Sequence, residues 1–312
     1  MLNSILARSV TQNASDVHLS SGEKPCIRIN GQLQFLVDEK LSPLELKQAL
    51  LKILTPLQQD ELNHNGQLDL AYHLGNIGRF RANIFYQHRG ISAVFRVINQ
   101  QIPDLSQLDA PNIFKSLVES KYGIILITGA TGSGKSTTLA SLIQYINLTV
   151  AKHIITLEDP IEFIYQNEKS LIEQRELSDF DSAINSILRQ DPDIILLGEL
   201  RNKQAIQAAL TIAETGHLVF ATLHTSSAIQ TINRIIDVFN GHERDFIRTQ
   251  LASSLKAVIS QKLVTHTNGR KALFEILINT PAVSNLINEG KIKQIFSLMQ
   301  TGQQYGMQIM PQ

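Results

Sequence analysis

One octapeptide constrains this chain more than any other feature. Gly129-Ala130-Thr131-Gly132-Ser133-Gly134-Lys135-Ser136 fits the phosphate-loop pattern at every defined position. An apolar run, Ile124 to Thr128, enters the loop, and a helix is expected to leave it near Lys135 and Thr137. Glycines let successive backbone N–H groups wrap a phosphate, and the helix N-terminus adds positive potential. Lys135 is placed to reach β- and γ-phosphates, and Ser136 to bind Mg²⁺ through its hydroxyl. The nine residues Gly129 to Thr137 are therefore the expected nucleotide site, with ATP and Mg²⁺ as cofactors.

The same region fixes the fold class. Ile124 to Ile127, Ile154 to Leu157, Ile194 to Leu197 and Leu218 to Phe220 are continuous apolar runs, each followed by a helical segment. Such strands belong to a parallel sheet covered on both faces, an α/β architecture. From about Arg244 the tail is expected to be mostly helical, with Ile247, Leu251, Leu255 and Ile259 at four-residue spacing.

The N-terminal region has a different texture. Gln67 to Leu74 alternates polar and apolar, as do Phe80, Ala82, Ile84 and Tyr86, which predicts half-buried strands. Ser42, Pro43 and Glu45 predict a capped helix start ahead of Leu46, Leu50 and Ile53. The expected division is a small α+β domain over 1–98, a linker over 99–111 and the ATPase domain over 112–312.

Composition excludes several classes. Lys+Arg and Asp+Glu both total 28, so there is no basic excess of the kind a nucleic-acid translocase usually carries, and no nucleic-acid partner is expected. A single cysteine, Cys26, excludes an intramolecular disulfide and a cysteine-built zinc site. No apolar run approaches membrane-spanning length, so the expectation is a cytoplasmic protein with at most peripheral membrane association.

A phosphate loop needs acidic partners, and ligands of open α/β sheets bind at the carboxyl ends of strands. Glu199 follows Ile194 to Gly198 and is the expected acidic residue for Mg²⁺, whereas Asp193 lies at the opposite end as a cap or turn residue. Glu158, Asp159 and Glu162 lie at or just beyond the end of the run closing at Leu157. One of them is a candidate for activating the attacking water, and a solvated acidic turn is the alternative. His217 and His224 bracket another strand, and His224 follows its carboxyl end. Gly78-Arg79-Phe80-Arg81 puts two arginines on one strand face, either as an exposed charged face or as an arginine finger.

Taken together these segments resemble the PilT family of type IV pilus retraction ATPases, within the wider secretion-ATPase superfamily. The resemblance is carried by Ala14 to Leu19, Gly78 to Arg81, the phosphate loop, Ile155 to Phe163, Gln174-Arg175-Glu176, Gly198-Glu199, Ala213 to His217 and Leu223 to Thr225. It implies a PAS-like N-terminal domain and a RecA-like ATPase domain, assembled as a homo-hexamer that powers pilus retraction and twitching motility. An inner-membrane platform component of the pilus machine is the implied partner. It also implies Glu162 as catalytic glutamate, Glu199 as Walker B glutamate, His217 and His224 as the histidine box, and Arg79, Arg81 or Arg96 as fingers across a subunit boundary. An accessory paralogue of the motor and a RecA-like translocase are the alternatives. The family pattern is departed from at Asn202, where Asp is common, at Ser284 and Asn288, where two arginines are expected, and in a short loop between Glu176 and Phe180.

Overall fold

The computed structural model describes residues 1–29, 31–98, 101–176, 183, 186–266 and 269–311. It divides into two compact units, Met1–Gln101 and Ile102–Gln312. The short loop after Glu176 noted above lies outside the described residues.

The first unit is a six-stranded antiparallel sheet, in the order β3-β2-β1-β6-β5-β4. Its strands are β1 (Asp16–Ser20), β2 (Cys26–Ile29), β3 (Gln32–Phe35), β4 (Gln67–Leu74), β5 (Gly78–Gln87) and β6 (Gly90–Ile98). Helices α1 (Leu2–Thr11), α2 (Pro43–Leu51) and α3 (Pro56–Asn65) contribute Leu6, Leu46, Leu50 and Leu62 to one core with Val17, Ile27, Phe80, Ile84 and Phe95. The alternation in β5 follows the pleat, with Phe80, Ala82 and Ile84 buried and Arg81 exposed. Helix α2 begins at Ser42 with Pro43 in its first turn, but the Ser42 side chain makes no capping bond. The capping box is one helix later: Thr55 accepts from the Gln58 N–H while Gln58 Oε1 accepts from the Thr55 N–H.

The second unit is built on a seven-stranded sheet, in the order β13-β12-β7-β11-β10-β8-β9. Strands β7 (Gly123–Thr128), β8 (His153–Glu158), β9 (Leu171–Glu176), β10 (Ile194–Leu197) and β11 (Leu218–Leu223) run parallel, and β12 (Leu255–His266) lies parallel to β7. The hairpin strand β13 (Gly269–Ile278) is antiparallel to β12. Alternate residues of the apolar runs feed two cores. Ile124 and Leu126 of β7 pack with α6 (Lys203–Glu214), α7 (Ala228–Asp237), α8 (Glu243–Ser254) and α9 (Pro281–Asn288), while Ile125 and Ile127 pack with α4 (Ile113–Val118) and α5 (Lys135–Thr149). Both faces are thus covered, which is why the runs are apolar throughout.

The tail corrects one expectation. The four-residue spacing from Ile247 holds through Leu251 inside α8, but Leu255 and Ile259 are strand residues of β12. A spacing of four also satisfies a strand's period of two, and the β-branched set Val258, Ile259, Val264 and Thr265 favours the strand. Helices resume at α9 and α10 (Ile295–Thr301). Among the described residues no helix is long and apolar enough to cross a membrane.

Candidate nucleotide site

Because β7, β8, β10 and β11 are parallel, their carboxyl ends converge on one edge of the sheet. The phosphate loop leaves β7, Glu158 ends β8 and Asp159 follows it, Gly198 and Glu199 follow β10, and His224 follows β11. One cleft is lined by Thr131, Gly132, Lys135 and Ser136 from the loop, together with Glu158, Asp159, Glu162, Glu199, Arg201, Thr222 and His224.

The loop is shaped for an anion. Gly134 enters α5 from a left-handed conformation, at φ 88°, and a side chain at Gly129 would collide with the Gln261 carbonyl oxygen. Lys135 Nζ donates to the carbonyl oxygens of Gly129 (2.8 Å) and Ala130 (3.0 Å), so the ammonium is folded back onto its own loop. Burial holds its pKa below the ordinary lysine value, opposed by the charges of Glu199 and Glu162. The Ser133 hydroxyl is buried without a hydrogen-bond partner. A cation folded back on the loop, an unpartnered hydroxyl and backbone too crowded for a side chain all fit a bound polyphosphate.

The acidic wall is cross-linked. Arg201 Nε lies 2.9 Å from Glu199 Oε2 and its Nη1 lies 3.1 Å from Asp159 Oδ2. The hydrogen bond that Arg201 donates to Glu199 holds the Arg201 pKa above its ordinary value. His224 Nε2 lies 3.2 Å from the other Glu199 oxygen, and its Nδ1 lies 3.4 Å from Thr131 Oγ1. His224 therefore bridges Glu199 and the phosphate loop. Glu158 points inward, where Thr156 Oγ1 donates to it at 2.7 Å. Burial raises its pKa, while the Thr156 and Gln174 hydrogen bonds pull the other way. Glu162 remains exposed at the cleft.

Other expected residues fall elsewhere. His217 precedes β11, at the opposite end from His224, and its Nδ1 lies 3.1 Å from Thr215 Oγ1 and 3.2 Å from the Ile212 carbonyl. That placement leaves it outside the phosphate cleft of its own chain. Asp193 is a turn residue, accepting from Lys152 Nζ and the His153 N–H. Asn202 caps α6 by accepting the Ala205 N–H at 2.8 Å, a role Asn and Asp fill equally well. Within the first unit, Arg81 and Arg96 are direct cross-strand partners, and Arg96 Nε lies 3.1 Å from Asp16 Oδ1. Arg79 stands two residues from Arg81 on the same face, opposite His73.

Sequence reasoning missed Arg201, Thr222 and Gln261. Thr222 Oγ1 donates to the Gly198 carbonyl, and Gln261 Oε1 accepts from Thr138 of the loop helix at 2.7 Å. Arg201 had a signal, two residues beyond a strand-end carboxylate. Gln261 had none, because its segment reads as helix.

The comparisons with known proteins agree with this geometry. Residues 1–270 match the family model described as type II/IV secretion system protein. The chain is 48% identical over 315 residues to a twitching motility protein of Neisseria gonorrhoeae, covering 99% of this chain and 84% of that protein. It is 45% identical over 315 residues to the type IV pilus retraction ATPase PilT of Pseudomonas aeruginosa, covering 98% and 91%. A crystal structure of the pilus retraction motor PilT with bound ADP superposes with a TM-score of 0.92 at 42% identity, covering 96% of this chain and 89% of that one. With its phosphate loop, acidic strand ends and sheet order in place, the chain belongs to the type II/IV secretion system protein family and, within it, to the PilT family of ATPases.

Proposed function

We propose that this chain is the ATP-hydrolysing motor that drives retraction of type IV pili. The observation that carries this is the convergence of Lys135, Glu162, Glu199 and His224 on one cleft at the carboxyl edge of the sheet, in a chain that aligns nearly end to end with a retraction ATPase. In this assignment the loop N–H groups and Lys135 bind the phosphates. Ser136 and Glu199 supply hard oxygen donors suited to Mg²⁺, which neutralises phosphate charge when bound. Glu162, exposed at the cleft and unpaired with Arg201, orients and deprotonates the attacking water. His224 holds Glu199 against the loop, where it is placed to respond to the γ-phosphate.

The first unit is assigned as the PAS-like module of a homo-hexameric ring. Arg81 and Arg96 oppose each other across two strands, an unfavourable pairing unless an anion or carboxylate lies near. Asp16 neutralises one of them, and a phosphate from a neighbouring subunit would suit the other, with Arg79 beside it. The ring would act at the inner membrane on the platform component of the pilus machine.

Deletion followed by complementation, scored for pilus retraction and surface motility, tests the biological assignment. Restoration by the wild-type gene and failure by Lys135→Ala are expected. Normal retraction in the deletion strain would instead support an accessory paralogue. For the chemistry, Glu162→Gln is expected to keep nucleotide binding and slow hydrolysis by at least about tenfold. An unchanged rate would remove Glu162 from the mechanism.

A further inference from the structure

Beneath the loop that carries His224, the sheet carries a row of polar side chains in an otherwise apolar floor. Thr128 at the end of β7, Ser260 on β12 and Glu275 on β13 are register neighbours across three strands. Thr128 and Ser260 are fully buried and Glu275 is nearly so. Helix α7 covers this row. Its hydrophobic seat is made by Ile232, Ile235 and Ile236, but its first turn is fastened by polar contacts. The Ala228 N–H donates to Glu275 Oε1 at 2.7 Å, and Thr231 Oγ1 reaches Thr128 Oγ1 at 3.5 Å. Thr128 and Ser260 hydroxyls lie 2.8 Å apart.

Proton counting gives this row a direction. The Thr231 hydroxyl has one hydrogen, and of its two acceptors in reach the Ser227 carbonyl at 2.8 Å is closer than Thr128 Oγ1 at 3.5 Å and takes it. Toward Thr225 Oγ1, at 2.6 Å, it therefore accepts, and Thr225 must donate. That bond fixes the Thr225 side chain, and Thr225 is the residue next to His224. The other end of the chain of hydroxyls is Thr128, the residue next to Gly129 of the phosphate loop. Apolar side chains would seat α7 as well by burial alone. Hydrogen bonds add a single allowed register, which dispersion contacts do not.

Building on the assignment of His224 to the hydrolytic site, we propose that Thr231 is a positioning residue for ATP hydrolysis. Through Thr225 it holds His224 against Glu199, in a register set by Thr128, Ser260 and Glu275. The loop that carries His224 and the base of the phosphate loop are thereby clamped to one another, and His224 meets both Glu199 and Thr131 without searching for them.

The test measures kcat and KM for ATP, affinity for a fluorescent ADP, and thermal midpoint in Thr231→Val, Thr231→Ser, Thr225→Val and His224→Ala. Thr231→Val keeps the volume of the side chain and removes its hydroxyl. It is expected to lower kcat by about ten- to hundredfold with ADP affinity unchanged, the penalty for a misplaced catalytic group. Thr231→Ser restores the hydroxyl and is expected to recover most of the rate. Thr225→Val breaks the same bond from the half-buried loop side, and it decides the matter if Thr231→Val does not fold. Wild-type kcat in Thr231→Val or Thr225→Val, while His224→Ala is slow, would overturn the positioning role alone. So would a slow Thr231→Ser, or a loss of kcat matched by a loss of ADP binding. Wild-type kcat in His224→Ala would overturn the assignment of His224 itself, and the role of Thr231 with it.

Discussion

Arg201 and Glu199 are two residues apart in sequence and paired in space, with Nε 2.9 Å from Oε2. The same guanidinium reaches Asp159 at 3.1 Å, so one cation ties the ends of β8 and β10 together beside the phosphate loop. Without it, Glu199 and Asp159 would face an anionic nucleotide with one fewer cation beside them. Arg201→Ala is therefore expected to weaken Mg-ATP binding by about three- to tenfold, and ADP binding less. The side chain is 54% exposed, and solvent screening keeps the effect modest. Fluorescence titration with both nucleotides checks it, and equal losses for ATP and ADP would remove the charge explanation.

Glu158 gives a pH dependence with a defined sign. Burial raises its folded pKa above the ordinary value of 4.5. Between 4.5 and the raised value the folded chain binds more protons than the unfolded one, so this group's contribution to stability falls as pH rises through that window. At pH 7, above the ordinary value, burying this group is therefore a cost. Glu158→Gln keeps an oxygen acceptor for Thr156 and removes the charge, so it is expected to raise the thermal midpoint at pH 7. The size is about 2–4 °C for each kcal/mol recovered in a unit of this length. Thermal melts from pH 4 to pH 8 should show a wild-type slope that Glu158→Gln flattens, and parallel curves would count against a buried, titrating Glu158.

The parts of this molecule legible in the sequence are those where one local pattern has one structural meaning. The phosphate loop, the apolar runs that became β7, β8, β10 and β11, and the strand-end position of Glu199 are of that kind. Helix α3 was illegible because only Leu62 of its ten residues is buried, leaving no apolar stripe. Strand β12 was misread because Ile247, Leu251, Leu255 and Ile259 satisfy two periods at once. That error hid Gln261, which braces the loop helix through Thr138 from a strand distant in sequence. The Thr225–Thr231 bond was hidden for a different reason, since single threonines carry no motif until the fold brings them together.

The arginines of the first unit yield a prediction about assembly. If Arg81 acts on the nucleotide of a neighbouring subunit, Arg81→Ala chains retain a working phosphate loop and Lys135→Ala chains retain a working finger. Mixed rings of the two are expected to hydrolyse ATP faster than either alone, because some interfaces pair an intact loop with an intact finger. Steady-state ATPase assays on rings of verified mixed composition check this. No recovery in such rings would place the action of Arg81 outside the neighbour's site.

Gly129 and Gly132 separate crowding from backbone strain within one loop. Both have positive φ, 148° and 77°, so any side chain at either is strained. At Gly132 an added Cβ meets nothing within 4 Å, and Gly132→Ala carries only the conformational cost, about 1 kcal/mol. At Gly129 the added Cβ runs into the Gln261 backbone oxygen and also meets Ser133 Oγ at 2.5 Å. The first obstacle belongs to β12 and has no rotamer by which to withdraw. Gly129→Ala must therefore push the loop off β12, away from the position that faces Glu199 and His224. It is expected to lose at least about 2 kcal/mol of stability, a fall of about 4–8 °C in thermal midpoint, together with nucleotide binding. Gly132→Ala is expected to stay within about 4 °C of wild type. Melting curves with and without ADP measure both. If the two variants behaved alike, the close packing of the loop on β12 would not be what shapes the phosphate site.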